Sequence, residues 1–150
     1  MKALKAGAVL LLLLLVSVTA WSFSFNNGSP KWPGAATRIY TGVPGTSRSG
    51  IPWATAMQQA ASEWNDKTAF KFDINSGYRD PCAGTGPGGR PDFQNGADFR
   101  NTLCGNNLSN STLAVTVFFT ETNILGSSDI VEADIVYNAN LSFDVYDGPL

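Results

Sequence analysis

Hydrophobic residues in the first half of the chain repeat with the period of an α-helix. Four of them fall at i, i+4, i+7 and i+11 and so share one side of a helix: Trp53, Met57, Ala60 and Trp64. The spacing predicts a helix over residues 52–65, with Pro52 at the first helical position, where its missing N–H costs nothing. A stripe of this kind is typical of core packing rather than of a ligand platform, so we expect Trp53 and Trp64 to be buried against a sheet.

Elsewhere the hydrophobic residues alternate with polar ones, as in β-strands. Residues 37–40, 70–74, 112–120 and 130–137 each show this period of two. In the last of these strands Val131, Ala133, Ile135 and Tyr137 alternate with Glu132, Asp134 and Val136. The pattern predicts an α+β fold, a twisted and mainly β-sheet of about four to five strands with one amphipathic helix packed on it.

A long segment that shows neither the helical nor the strand repeat separates the first half of the chain from the second. Between residues 77 and 96, nine of the twenty residues are Gly or Pro, which predicts an irregular loop. Cys82 lies inside this loop and Cys104 lies just beyond it.

The first twenty residues have the order of a secretory signal peptide. Lys2 and Lys5 precede an apolar run, and small residues follow up to Ala20. The alternative is a membrane anchor, but the run is shorter than the ~20 residues that span a bilayer. We therefore expect residues 1–20 to be removed, and residues 21–150 to be secreted and free of the membrane.

Export changes the interpretation of the two cysteines. An oxidising compartment favours a structural disulfide between Cys82 and Cys104, with two free thiols as the alternative.

Composition excludes several functions. The chain has 150 residues, enough for one domain, and contains no histidine, so imidazole catalysis and imidazole metal ligands are ruled out. Removing Lys2 and Lys5 from the 10 basic residues leaves 8 against 12 acidic ones, and no basic patch indicates nucleic acid.

One acidic cluster has possible chemistry. It consists of Asp129, Glu132, Asp134 and Asp144, of which Glu132 and Asp134 point the same way on a strand. Three interpretations stay open: a solvated face, a calcium site held by Glu132 and Asp134, or a pair of catalytic carboxylates.

Taken in order, these segments resemble the catalytic domain of the secreted, matrixin-like zinc metallopeptidases, which are metzincins. The resemblance rests on Lys31-Trp32-Pro33, Arg38-Ile39-Tyr40, the Ala-rich helix that ends at Trp64 and leads into Phe70-Lys71-Phe72, residues 95–103, Leu113-Ala114-Val115-Thr116, and residues 130–138 with their acidic-Ala-Asp run.

The resemblance implies a zinc endopeptidase whose edge strand, here Leu113, Ala114, Val115 and Thr116, lines the cleft for a peptide or protein substrate. It also implies a zinc-binding helix with the pattern H-E-x-x-H-x-x-G-x-x-H after the last strand. No residue of this chain matches that pattern, so we assign no catalytic residue. We expect an incomplete, monomeric amino-terminal portion that is inactive alone. The alternative is a self-contained, secreted, β-rich binding or structural module.

Overall fold

The computed structural model describes residues 29–84, 89–124 and 126–145; the predicted signal peptide lies outside these ranges. The fold is α+β, as the sequence predicts, with one α-helix and seven strands in the described residues. A 3₁₀ turn at Pro33–Ala35 precedes the first strand. The helix α1 spans Trp53–Lys67, and the strands are β1 (Ala36–Tyr40), β2 (Lys71–Asn75), β3 (Ala97–Arg100), β4 (Thr102–Leu103), β5 (Asn106–Asn107), β6 (Ala114–Thr122) and β7 (Ser128–Asn138).

The strands form three hydrogen-bonded groups. β1 and β2 are parallel, with Ala36 opposite Lys71. β7 lies between β3, to which it is parallel, and β6, to which it is antiparallel. β4 and β5 form a short hairpin.

Asn95 connects the first two groups. Its backbone carbonyl accepts the N–H of Tyr40 at 3.0 Å, and its side-chain amide donates to the carbonyl of Arg38 at 2.5 Å. Its side-chain oxygen accepts the N–H of Ala133 on β7 at 2.7 Å. A single buried amide therefore serves β1 and β7 together, which holds the two ladders side by side.

Helix α1 packs on the sheet with a stripe rotated from the predicted one. Trp53 contacts the ring of Phe99 on β3, with ring centroids 4.7 Å apart. Ala61 is buried, whereas Trp64 is 51% exposed, so the prediction that Trp64 belongs to the core is wrong. The reason is Asn65, whose amide accepts the Phe72 N–H at 2.6 Å and donates to the Phe72 carbonyl at 2.9 Å. These two bonds turn Asn65 toward β2 and leave Trp64 at the helix surface.

The Gly- and Pro-rich segment is irregular in its described part, as predicted, and is joined to the next hairpin by a disulfide between Cys82 and Cys104. Residues 95 and 96 continue β3 beside β7, and the N–H groups of Phe93 and Gly96 donate to Glu132 and Asp134, whose side chains lie on the face opposite the helix. The sheet is therefore covered by α1 on one face and by a loop on the other. In the described residues, no helix has the length and apolar character needed to cross a membrane.

Candidate functional site

Strand β6 is the open edge of the three-stranded sheet. It is nine residues long and pairs only with β7 among the described strands. The predicted cleft-lining residues Ala114, Val115 and Thr116 begin this strand, and Leu113 lies one position before it. Unpaired backbone groups on a long edge are a ready template for another extended chain.

The direction of the β6 backbone groups follows from the bonds of β7. The N–H of Asn138 donates to the carbonyl of Leu113 at 2.9 Å, while the N–H of Ile135 points to the other side of β7 and donates to Gly96 at 3.0 Å. Because successive residues of a strand alternate, Val115 and Val117 direct their backbone groups to β7. Ala114, Thr116 and Phe118 direct theirs outward, to the open edge.

The side chains along this edge are partly apolar and exposed. Leu113 is 65% exposed and Phe118 is 37% exposed. Thr116 borders a cavity of about 190 Å³ on the helix side of the sheet, whose walls include Phe72, Ala133 and Ile135. An extended chain beside β6 would therefore find both backbone partners and apolar surface.

Glu132 and Asp134 lie on the opposite face of β7, where their carboxyl groups reach the backbone of the 92–96 segment. The structure brings them together, as the alternation predicts, but the interpretation of a solvated face is wrong, since their exposed fractions are 0% and 1%. Glu132 accepts the N–H of Phe93 at 2.5 Å, and Asp134 accepts the N–H of Gly96 at 2.8 Å. The acidic face of this strand is buried because the loop, rather than water, supplies its donors.

Burial changes the ionisation of both carboxyl groups. Desolvation raises the pKa of Asp134 to about 8, and the neighbouring carboxyl of Glu132 adds to this, against the opposing effect of the Gly96 N–H. The pKa of Glu132 is also raised, chiefly by desolvation. The two carboxyl groups influence each other's pKa, and the negative charge of Asp92 on the loop also raises the pKa of Glu132.

The other two acidic residues of the predicted cluster lie elsewhere. Asp129 accepts a hydrogen bond from the side chain of Asn123 at 3.1 Å in the β6–β7 hairpin. Asp144 accepts the N–H and the hydroxyl of Ser49 at 2.9 and 2.7 Å, and these bonds lower its pKa. The four residues therefore do not form one site.

The chain does not fit the zinc site that the resemblance implies. It has no histidine, and both of its cysteines are in the disulfide. Within residues 29–84, 89–124 and 126–145, no three His, Cys, Asp or Glu side chains are arranged to hold a metal ion. Calcium binding by Glu132 and Asp134 stays a prediction.

Sequence reasoning missed three residues that build this region: Asp92, Asn95 and Gly96. Gly96 has no room for a side chain, because an added Cβ would lie 2.6 Å from the carbonyl oxygen of Arg79. The Asn95-Gly96 pair is visible in the sequence as a turn signal. Nothing local in the sequence shows that it would dock on the acidic positions of β7.

Comparison of the chain with protein-family models, with curated proteins and with solved structures found no match. The features of the chain that bear on its function are the edge strand, the buried carboxyl groups and the order of the segments.

Proposed function

We propose that this chain is the amino-terminal, sheet-bearing part of a secreted zinc metalloendopeptidase of the matrixin type. Its role is to bind an extended peptide or protein substrate as an added strand along β6. The observation that carries the proposal is the open edge, where Ala114, Thr116 and Phe118 direct their backbone groups outward. The order of segments quoted for the resemblance supports the enzyme class.

Two features of the fold agree with what the resemblance implies. Helix α1 leads after three residues into β2, which contains Phe72 and directly follows Phe70, and β6, which begins with the predicted cleft-lining residues, is an edge strand of its sheet. The loop-covered face of the sheet holds the carboxyl pair, so the substrate edge and the buried acids are separate parts of the molecule.

Backbone hydrogen bonds would supply the affinity of such a complex, and side-chain pockets would supply its specificity. A substrate residue opposite Thr116 has its side chain either on the helix side or on the loop side of the sheet. On the helix side, an apolar side chain can reach the cavity beside Thr116. The preferred peptide is therefore extended and apolar at this position.

The test changes the edge backbone without changing the core. Thr116→Pro removes one outward N–H, and an edge strand tolerates proline because that N–H has no partner in the sheet. The matched control, Thr116→Val, keeps the N–H and a similar shape.

The probe is a fluorescein-labelled peptide of alternating valine and threonine with a lysine at each end, followed by fluorescence anisotropy. We expect Thr116→Pro to weaken binding about tenfold, the loss of one to two backbone hydrogen bonds, and Thr116→Val to bind within about twofold of the parent. Equal binding by both variants, or no binding by the parent, would contradict the proposal.

The enzyme class and the binding-module alternative differ in whether a catalytic segment accompanies the domain. A zinc-supplemented peptidase assay on residues 21–150, beside a chain extended by its natural downstream sequence, separates them. Chelator-sensitive cleavage by the extended chain alone supports the proposal. Peptide binding with no cleavage by either chain supports the module.

A further inference from the structure

A cavity of about 210 Å³ lies between the first half of helix α1 and the ends of β3 and β7. Trp53 and Met57 line it from the helix, and Phe99 and Tyr137 line it from the two strands. Because β3 and β7 are parallel, their carboxyl ends meet at this edge of the sheet. The cavity shares no lining residue with the one beside Thr116, so it is a separate part of the molecule.

Four aromatic rings contribute to the wall of this cavity. The ring of Phe99 contacts those of Trp53 and Tyr137, with centroids 4.7 and 5.0 Å apart. Phe143, from the segment after β7, meets the Phe99 ring edge-on with the centroids 5.4 Å apart. All four residues are only half-buried. The rings therefore contact one another and still leave apolar surface open, as in the wall of a ligand pocket.

A carboxylate held in place by the fold lines the same cavity. Oδ1 of Asp144 accepts the hydroxyl and the N–H of Ser49 at 2.7 and 2.9 Å. These bonds lower the pKa of Asp144, so the group keeps its charge at neutral pH. In the part of the chain that the structure describes, Asp144 takes part in no salt bridge, and neither does Arg48, the neighbour of Ser49. The negative charge is therefore open to a ligand.

Volume and charge together determine which ligand fits. An apolar cavity of ~150 Å³ holds a benzene molecule, so the larger volume here has room for one aromatic ring and a short chain. Aromatic faces and a carboxylate both attract a positive charge. A neutral ligand gains no ion pair with Asp144, and an anionic ligand is repelled by it.

We propose that this cavity binds a small aromatic amine, with the ring of the ligand against Trp53 and Phe99 and its ammonium group at Asp144. The ring covers apolar surface that is otherwise open to water, and the ion pair fixes its orientation. Ser49 positions the carboxylate and so connects the loop before α1 to the segment after β7. The site is distinct from the β6 edge and does not depend on peptide binding there.

The experiment is an NMR titration of the purified protein with phenethylamine, which consists of one ring, a two-carbon chain and an ammonium group. It follows the indole N–H signals of Trp53 and Trp64 and the backbone amides of Met57 and Phe143. We expect saturable shifts at Trp53, Met57 and Phe143, and none at Trp64, which lies in the last turn of α1 outside the cavity. Phenethyl alcohol has the same shape without the charge and should bind about fivefold more weakly, the contribution of an ion pair at an exposed site. Phenylacetate, which is anionic, should bind more weakly still.

Two pairs of variants separate the carboxylate from the cavity. Asp144→Asn keeps an oxygen for Ser49 but removes the charge, so it should weaken phenethylamine binding about fivefold and leave phenethyl alcohol within about twofold. Its matched control is Asp66→Asn, at an exposed residue of α1 outside the cavity, which should change neither. Ala56→Leu extends a side chain from the helix into the cavity and should weaken both ligands about tenfold or more. Thr55→Leu, at the exposed position before it, is the control and should weaken neither.

Several results would overturn the proposal. They are the absence of a saturable shift at Trp53 with about 20 mM phenethylamine, equal shifts at Trp53 and Trp64, and equal affinity for the amine, the alcohol and phenylacetate. Shifts of the cavity signals with protein concentration, in the absence of ligand, would place a second copy of the chain there and would also overturn it. The comparison of the three ligands uses the parent protein, so it decides the question even if a variant does not fold.

Discussion

At the scale of single residues, polar side chains decide how this small core is arranged. Asn95 joins two ladders, and Asn65 orients the last turn of α1 against β2. Both side chains form hydrogen bonds with backbone N–H and carbonyl groups that would otherwise have no partner. A hydrophobic stripe alone therefore does not tell which tryptophan is buried.

The two helix tryptophans provide a direct comparison. Trp53 packs on Phe99, so Trp53→Ala removes a large contact between helix and sheet and should lower the free energy of unfolding by ~3 kcal/mol. Trp64 is half exposed and touches Phe72 with ring centroids 6.4 Å apart, so Trp64→Ala should cost about 1 kcal/mol. Urea unfolding followed by circular dichroism measures both. A larger loss of unfolding free energy for Trp64→Ala than for Trp53→Ala would show that Trp64 makes the main contact between helix and sheet.

At the scale of elements, the structure depends on one long loop. The residues between β2 and β3 carry Cys82 and the segment that bonds to β7, and they cover the face opposite α1. Loops carry few apolar contacts, so covalent and polar restraints have to hold this one in place. The disulfide and the carboxyl pair act at its two ends.

Removing the disulfide tests this dependence. Cys82 and Cys104 are separated by 22 residues, and closing such a loop stabilises a fold by ~3 kcal/mol in the chain-entropy account. The Cys82→Ser, Cys104→Ser double variant should therefore unfold at a clearly lower urea concentration. Reduction of the parent should reproduce the loss. A thiol titration that finds two free sulfhydryls in the unfolded, unreduced parent would contradict the disulfide and the stability loss expected from removing it.

At the scale of the whole molecule, the two faces and the edge of the larger sheet have different roles. One face is covered by α1, the other by the loop, and the edge strand β6 remains open for an added strand. The buried carboxyl groups belong to the loop face, whereas the proposed peptide binding acts at the edge. A substitution at the edge should therefore leave the carboxyl groups undisturbed.

Export is the prediction that belongs to this scale. The charged residues, apolar run and small residues of positions 1–20 should direct secretion, and amino-terminal sequencing of the secreted product should begin at Trp21. Changing Leu12 and Leu13 to Arg should abolish secretion by breaking the apolar run, whereas a Lys2→Arg control keeps the charge and should be secreted normally. A secreted product that retains the leucine run would contradict the assignment.

The sequence by itself determined the fold class, the helix, the strand periods and the loop. Helical and extended repeats are local properties, and the positions of Gly and Pro mark the irregular segment between them. The disulfide was also predicted from composition, because two cysteines behind a predicted signal peptide favour one pairing. The alternation of residues along β7 placed Glu132 and Asp134 on the same face of the strand. It did not show whether that face is exposed to solvent.

Only the tertiary structure decided which face of β7 is buried and how α1 is rotated on the sheet. Alternation in a strand distinguishes two faces but does not say what covers them, and here a loop from forty residues earlier supplies backbone donors to both acids. The same long-range contacts set the rotation of α1, through Asn65 and β2, and leave Trp64 at the surface. These outcomes depend on groups distant in the chain meeting in space, so no local pattern encodes them.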